Sequence, residues 1–177
     1  LAVPYYQVFH LKVLGLEGKA IATLTVGYYI IKIAALPLLG KWVARLGSRL
    51  AIYLASPFYV LFFFCYALSG PDRAWMVFLG WALIGVAEGC YSVAYTTALY
   101  GSIPESPARQ AYFATYNLVL LLLGAGGAAA AAWLVEQLKQ QLGGAAWTLG
   151  PLHLGQYQIL YLLCGLILMP CIFGTQL

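Results

Sequence analysis

The feature that most constrains this chain is a succession of apolar stretches, each close to the length that a helix needs to cross a membrane. A hydrocarbon core about 30 Å thick takes roughly 20 residues of α-helix. A shorter apolar stretch at residues 1–14 indicates part of one further helix, truncated at its start. The sequence therefore predicts an all-α, multi-pass transmembrane helix bundle forming a single domain over residues 1–177. Its full spans are predicted at 20–39, 50–69, 74–100, 111–135 and 157–173.

The composition supports a membrane protein and excludes several other classes. Of the 177 residues, 63% are hydrophobic and 8% are charged, and the mean hydropathy is +0.86. Such a chain lacks the polar surface that encloses a water-soluble core, so soluble enzymes and disulfide-stapled secreted modules are excluded. The net charge of +4 is spread over single residues, and no basic run follows a phosphate backbone. We therefore expect no nucleic-acid partner.

Cysteine and histidine give no sign of a metal site or a cofactor. The four cysteines lie in apolar stretches without C-x-x-C spacing, which is typical of small buried side chains. His10 and His153 lie in separate segments near the same predicted membrane face, and we interpret both as interfacial. We expect no metal, no cofactor and no catalytic residues.

The distribution of basic residues predicts the orientation. Alternation of the spans places two loops, at 40–49 and 101–110, on the same side of the membrane. Lysine and arginine are equally numerous on the two sides, but Lys41, Arg45 and Arg49 are clustered in the first of these loops. This density favours the cytoplasmic side for both loops, in a plasma membrane or a bacterial inner membrane.

The loop between the second and third predicted spans reads GKWVARLGSR. It resembles the G-x-x-x-D-R-x-G-R-R signature of the major facilitator superfamily, which lies between the second and third helices of each six-helix half. Ala44 stands where the family has its acidic residue, and Ser48 replaces one arginine. The residues at matching positions are Gly40, Arg45, Gly47 and Arg49.

Other segments extend the resemblance over most of the chain. IPESPAR, which ends at Arg109, is similar to the family's P-E-x-x-R-x-x-A element between the tenth and eleventh helices, with one additional residue before the arginine. The glycine and alanine run at 124–132 is similar to the eleventh helix and predicts a helix packing face. The opening residues look like the end of a seventh helix. Because the second-half copy of the signature is often degraded, the resemblance implies helices seven to twelve.

What the resemblance implies is a six-helix half made of two three-helix inverted repeats. An N-terminal half of the same chain, expected upstream of Leu1, would close a central cavity near the bilayer midplane. The partners implied are a small organic solute, protons and the lipid bilayer.

Two charged residues lie inside predicted spans. A charge at the bilayer centre costs about 2.5 to 3.5 kcal/mol on insertion scales, so it is expected to face the bundle interior or water. Glu88, near the middle of its span, is a candidate for proton coupling or for binding a cationic group; alternatively, hydroxyl groups or Lys32 hold it structurally. Lys32 is a candidate to bind an anionic group or to pair with Glu88; alternatively, it snorkels toward the interface.

Tyrosines share helical faces with these two charges. Rings with a polar tip suit an organic solute, although packing or an interfacial belt is their commoner use. Asn117, in the fifth span, is a further candidate, with hydrogen bonding between helices as the alternative. The tyrosines at helical spacing are Tyr28 and Tyr29 before Lys32, and Tyr91 and Tyr95 after Glu88.

These features predict a secondary active transporter that moves a small organic solute by alternating access, coupled to protons and without covalent chemistry. Two hypotheses of other classes stay open. One is a non-transporting membrane subunit or scaffold whose polar residues hold helices together. The other is an integral-membrane enzyme, in which only Glu88 and Lys32 could act.

Overall fold

The computed structural model describes residues 5–103, 109–142, 147–149 and 152–174. A 3-10 turn at Pro71–Arg73 connects the third helix to the fourth. A small antiparallel hairpin, formed by β1 (Trp147–Leu149) and β2 (Leu152–Leu154), precedes the last helix. The α-helices of the described residues are α1 (Tyr5–Lys12), α2 (Gly18–Leu46), α3 (Ser48–Leu68), α4 (Trp75–Ser102), α5 (Arg109–Leu142) and α6 (Gln156–Gly174).

Four of the described helices, α2 to α5, are long and apolar enough to cross a membrane. The last helix, α6, contains a shorter apolar stretch, Gln156–Pro170. The chain is thus an all-α membrane bundle, as the sequence predicts. The hairpin of three-residue strands is a local feature of the connection between α5 and α6.

The third and fourth helices pack on each other and form the centre of the described bundle. The fourth also packs along α2, α3 also packs on α6, and α6 contacts α5. Apolar side chains are buried in two clusters, one toward each end of the bundle. The larger contains residues of all six described α-helices, among them Phe9, Phe62, Tyr66, Val77 and Tyr161. The smaller joins the end of α2 to α3 and α4 and includes Leu39, Val43, Ala51 and Ala94.

The second helix is longer than the apolar run that predicts it. The span is predicted to end at residue 39, but Pro37 and Gly40 both lie inside α2, which continues to Leu46. Proline is tolerated inside a transmembrane helix because neighbouring groups re-satisfy the backbone that it leaves unpaired. Gly47, with φ of +81°, is the single residue between α2 and α3. The prediction of a ten-residue basic loop at 40–49 is therefore wrong.

The other predicted connections are also shorter. The fourth helix runs to Ser102 and the described part of α5 begins at Arg109, so half of the predicted loop 101–110, residues 104–108, lies outside the described residues. In the predicted connection at 136–156, α5 continues to Leu142 before the hairpin. The prediction of a connection is therefore wrong for residues 136–142, because the helix continues beyond the apolar run.

The small-residue run at 124–132 faces mostly away from the rest of the described chain. Ala131 is buried in the larger cluster. Around Gly124 and Gly126, a Cβ atom would meet nothing within 4 Å. The predicted packing face is thus largely uncovered within the described residues.

Candidate functional site

The polar centre of the described structure lies between α2 and α4. Lys32 Nζ of α2 lies 3.0 Å from Glu88 Oε2 of α4, which makes an ion pair. Their side chains are 26% and 37% exposed, so the pair is only partly buried within the described residues. Of the three alternatives that the sequence left for Lys32, the structure shows the pairing with Glu88; binding of an anionic group stays a prediction.

Two glycines allow α2 and α4 to approach closely beside this pair. A Cβ atom on Gly85 would lie 3.2 Å from the backbone carbonyl oxygen of Tyr28. One on Gly89 would lie 3.0 Å from Leu39 Cδ1 and 3.5 Å from the carbonyl oxygen of Lys32. The sequence GVAEG carries the small-xxx-small spacing that permits such packing in membranes. Sequence reasoning missed these residues, although that spacing was the signal.

A tyrosine completes the charged cluster. The Tyr28 hydroxyl donates a hydrogen bond to Glu88 Oε2, the same oxygen that accepts from Lys32. Lys32 Nζ also donates to the Tyr28 hydroxyl oxygen at 3.2 Å. One carboxylate oxygen is thus held by an ammonium and a phenol from a single turn of α2. Charge-assisted hydrogen bonds of this kind are stronger than neutral ones.

A polar stripe continues from Glu88 along α4. At 3.6 residues per turn, its members share one face of the helix. Ser92 and Thr96 are exposed, and Tyr91 is half-exposed. The residues of this stripe are Glu88, Tyr91, Ser92, Tyr95 and Thr96. A row of polar groups at this depth is costly against lipid, so the stripe is expected to face water or protein.

The tyrosines of the stripe form a series of ring contacts across three helices. The ring of Tyr91 is parallel to that of Tyr95, with centroids 5.8 Å apart, and it meets Tyr59 of α3 edge-on at 6.2 Å. Tyr95 in turn contacts Tyr116 of α5 at 5.3 Å. On α2, Tyr29 packs edge-on against Tyr28 at 4.8 Å and is half-exposed.

The remaining predicted site residues lie elsewhere. Asn117 is exposed on α5 and is not brought to the ion pair. Gly40 and Arg45 lie within α2, Gly47 links the helices, and Arg49 is in the first turn of α3. The signature residues therefore occupy a helical corner instead of a loop. Lys41 and both arginines are exposed at this corner.

An apolar cavity near the same end of the bundle is distinct from the polar site. It has a volume of about 210 Å³ and lies between α2, α3 and α4, with Leu39, Trp42 and Phe58 among its lining residues. Neither Lys32 nor Glu88 lines it. The cavity therefore offers no charged group to a solute.

A second buried polar cluster was not anticipated from the sequence. His10, 1% exposed, places its Nε2 2.8 Å from the Tyr66 hydroxyl, which also accepts a hydrogen bond from Trp81 Nε1. His10 is thus a buried residue that hydrogen-bonds inside the bundle, and its interpretation as interfacial stays a prediction. The side chain of His153 lies outside the described residues. No sequence signal identifies the His10 cluster, because its members come from three helices.

Among the described residues, no group of three histidine, cysteine or acidic side chains is placed to hold a metal ion. Cys65, Cys90 and Cys164 are free thiols, the last two buried.

The family model described as Major Facilitator Superfamily matches residues 1–175, which is nearly the whole chain. The chain belongs to the major facilitator superfamily. The resemblance inferred from the sequence is thereby confirmed. Comparison with curated proteins and with solved structures finds no match.

Membership of the major facilitator superfamily identifies a multi-pass integral membrane protein of a transporter family, whose members are generally not enzymes. In this superfamily member, the cluster of Lys32, Tyr28 and Glu88 combines one fixed cation, one carboxylate and one hydroxyl. Such a set can bind an ion, take up a proton and return it without any covalent step.

Proposed function

We propose that this chain is part of a secondary active transporter that moves a small organic solute by alternating access and couples the movement to protons. The observation that carries the proposal is the half-exposed ion pair between Lys32 and Glu88 at the head of the polar stripe. The candidate solute-binding and proton-coupling residues are Lys32 and Glu88 with the tyrosines predicted beside them, of which Tyr28 contacts the pair directly. The other tyrosines are Tyr29, Tyr91 and Tyr95.

The energetics of charge in a membrane support this role. Paired ions are costly inside a protein, and replacing them with apolar side chains is often neutral or stabilising. A half-buried pair within an apolar bundle is thus expected to contribute little net stability. In a passage that admits water and solute, the pair can have a function, because a proton can bind Glu88 and a charged solute can bind Lys32 in place of their mutual contact.

The uncovered surfaces support a second half. The polar stripe of α4 and the small-residue run of α5 both lie open in the described chain. We place an N-terminal six-helix half of the same protein over them, with the solute passage between the halves. Rocking of one half against the other would then expose Glu88 to each side in turn.

The basic corner supports an orientation. Lys41, Arg45 and Arg49 are exposed where α2 meets α3. We place this corner at the cytoplasmic face of a plasma membrane or bacterial inner membrane, where anionic headgroups attract basic residues. The scaffold and enzyme hypotheses gain no specific observation from the structure, and the family favours transport.

The test uses the full-length protein in proteoliposomes that contain a pH-sensitive dye. A panel of organic acids, amines, sugars and amino acids is screened for solute-driven proton movement. Glu88→Gln is expected to abolish that movement, whereas the matched change Glu17→Gln, at an exposed residue before α2, leaves it intact. Proton movement in Glu88→Gln equal to that of the wild type would reject proton coupling at this residue.

A further inference from the structure

The arrangement around Glu88 suggests what the cluster binds. The Lys32 ammonium and the Tyr28 hydroxyl converge on one carboxylate oxygen. Both donors come from one helix, whereas the carboxylate comes from another. The α2 side of the site is therefore already shaped for a carboxylate, and Glu88 is the one that fills it in this structure.

Charge balance determines when a second carboxylate can enter. The pair of Lys32 and Glu88 has no net charge, so an added anion would leave a negative excess in a half-buried site, which is unfavourable. Uptake of one proton by Glu88 removes its charge. Of the two ionisable types, a carboxylic acid becomes neutral at far lower pH than an ammonium does, so acid leaves the lysine charged.

Neutralising Glu88 frees the whole binding set at once. Lys32 then loses its counter-ion and Tyr28 loses its charged acceptor; the two donors lie 3.2 Å apart in this structure. An uncompensated ammonium with an adjacent hydroxyl donor binds a carboxylate in preference to an amine or a neutral group. The half-exposed rings of Tyr29 and Tyr91 offer apolar surface for the rest of such a molecule.

We propose that the ligand of this site is a small organic monocarboxylate, which replaces Glu88 on Lys32 and Tyr28 when Glu88 takes up a proton. The proposal rests on the proposed function and names its substrate class. One proton and one monocarboxylate enter together, and both leave when the site opens to the other side. The Glu88 carboxylate then returns to Lys32. Net charge in the site stays constant throughout, so transport is electroneutral.

Other titratable groups face Glu88 from the neighbouring helices. Besides Tyr28 and Lys32 of α2, Tyr59 of α3 and Tyr6 of α1 are near enough to interact with it electrostatically. These additional groups are phenols, which stay neutral over the range in which a carboxylate titrates. If carboxylate binding at this cluster becomes tighter in mild acid, we therefore attribute the change to protonation of Glu88.

The first test measures binding by thermal stabilisation of the purified full-length protein. The probes are monocarboxylates from acetate to phenylacetate, each with the amide and the amine of the same carbon skeleton. Wild-type protein is expected to bind a carboxylate at least about tenfold more tightly at about pH 5.5 than at about pH 7.5. The reason is that only molecules with a protonated Glu88 can bind, and the apparent affinity is proportional to the fraction of such molecules. Glu88→Gln is expected to bind it with equal affinity at both values.

Variants at the lysine provide the controls. Lys32→Gln/Glu88→Gln carries no unpaired charge, so it is expected to fold and to lose carboxylate binding at both pH values. Lys32→Arg keeps the cation and is expected to retain binding. The proposal is overturned by carboxylate binding in the double variant as tight as in Glu88→Gln, by binding of the amines or amides instead, or by no carboxylate stabilising Glu88→Gln.

A second readout separates this proposal from the proposed function. In proteoliposomes, a carboxylate that binds Glu88→Gln should drive electroneutral proton entry through the wild-type protein. Binding without any flux would contradict the transporter and leave the ligand class intact. Proton-coupled flux of amines or sugars, with no flux of carboxylates, would contradict the ligand class and support the transporter.

Discussion

Lys32 Nζ and Glu88 Oε2 lie 3.0 Å apart on two different helices. Each ion is the principal compensation for the other inside an apolar bundle. Removing one partner therefore leaves an uncompensated charge, whereas removing both leaves none. This difference is measurable without knowing the solute.

We expect a double-mutant cycle to show strong coupling between Lys32→Gln and Glu88→Gln. Each single change should lower the free energy of unfolding in detergent, and the double change should recover most of the loss, with a coupling energy of about 1–3 kcal/mol. Tryptophan fluorescence during denaturant titration measures it. Additive losses would indicate that the two side chains do not interact in the folded protein.

The close approach of α2 and α4 predicts that a larger side chain at position 85 destabilises the protein. Because its Cβ would lie 3.2 Å from a backbone oxygen, Gly85→Val should lower the free energy of unfolding by about 1–3 kcal/mol through overpacking. It should also weaken the ion pair. The matched control is Gly27→Val, since a Cβ at Gly27 meets nothing within 4 Å. Equal effects at both glycines would argue against a close helix contact.

The buried cluster of His10, Tyr66 and Trp81 predicts a second stability effect. The Tyr66 hydroxyl accepts from Trp81, which leaves its own proton for His10 Nε2. Tyr66→Phe leaves both partners unpaired in a buried site, at a cost of about 1–3 kcal/mol.

Thermal unfolding of Tyr66→Phe beside Tyr112→Phe checks this prediction. Tyr112 is exposed on α5, so its hydroxyl should contribute little. A melting temperature of Tyr66→Phe that matches the control would mean that the cluster does not stabilise the fold.

The corner between α2 and α3 predicts a strict glycine requirement. Gly47 has φ of +81° and ψ of 156°, a conformation essentially restricted to glycine, so Gly47→Ala should cost about 1–3 kcal/mol. Gly40→Ala is the control, because Gly40 is helical and a Cβ atom there would meet nothing within 4 Å. At this position alanine should raise the free energy of unfolding by up to about 1 kcal/mol. Equal free energies of unfolding for Gly47→Ala and Gly40→Ala in a denaturant titration would contradict the glycine-specific backbone conformation at this corner.

The sequence predicted the architecture well because the membrane dictates it. Apolar length alone located every described helix, including α6, whose bounds of Gln156–Gly174 closely match the predicted span at 157–173. It failed at helix ends. Pro37 and Gly40 often end a helix in a soluble protein but are tolerated inside a transmembrane helix, so residues 40–46 are helical.

The site was only partly predictable. The cost of charge in a membrane identified Lys32 and Glu88, and helical spacing identified Tyr28, but not that it donates to Glu88. Periodicity could not show that Asn117 lies away from the pair. The burial of His10 was not predicted because the partners that bury it, on α3 and α4, are distant in sequence.

Water access to the polar stripe tests the central claim most directly. Cysteine at Tyr91 is compared with cysteine at Leu121, an exposed apolar position on α5, in full-length protein with the native cysteines replaced. A membrane-impermeant thiol reagent is applied from each side in turn. The account predicts that the cysteine at 91 reacts from both sides and the one at 121 from neither. A cysteine at 91 as unreactive as that at 121 would contradict a solute passage beside Glu88.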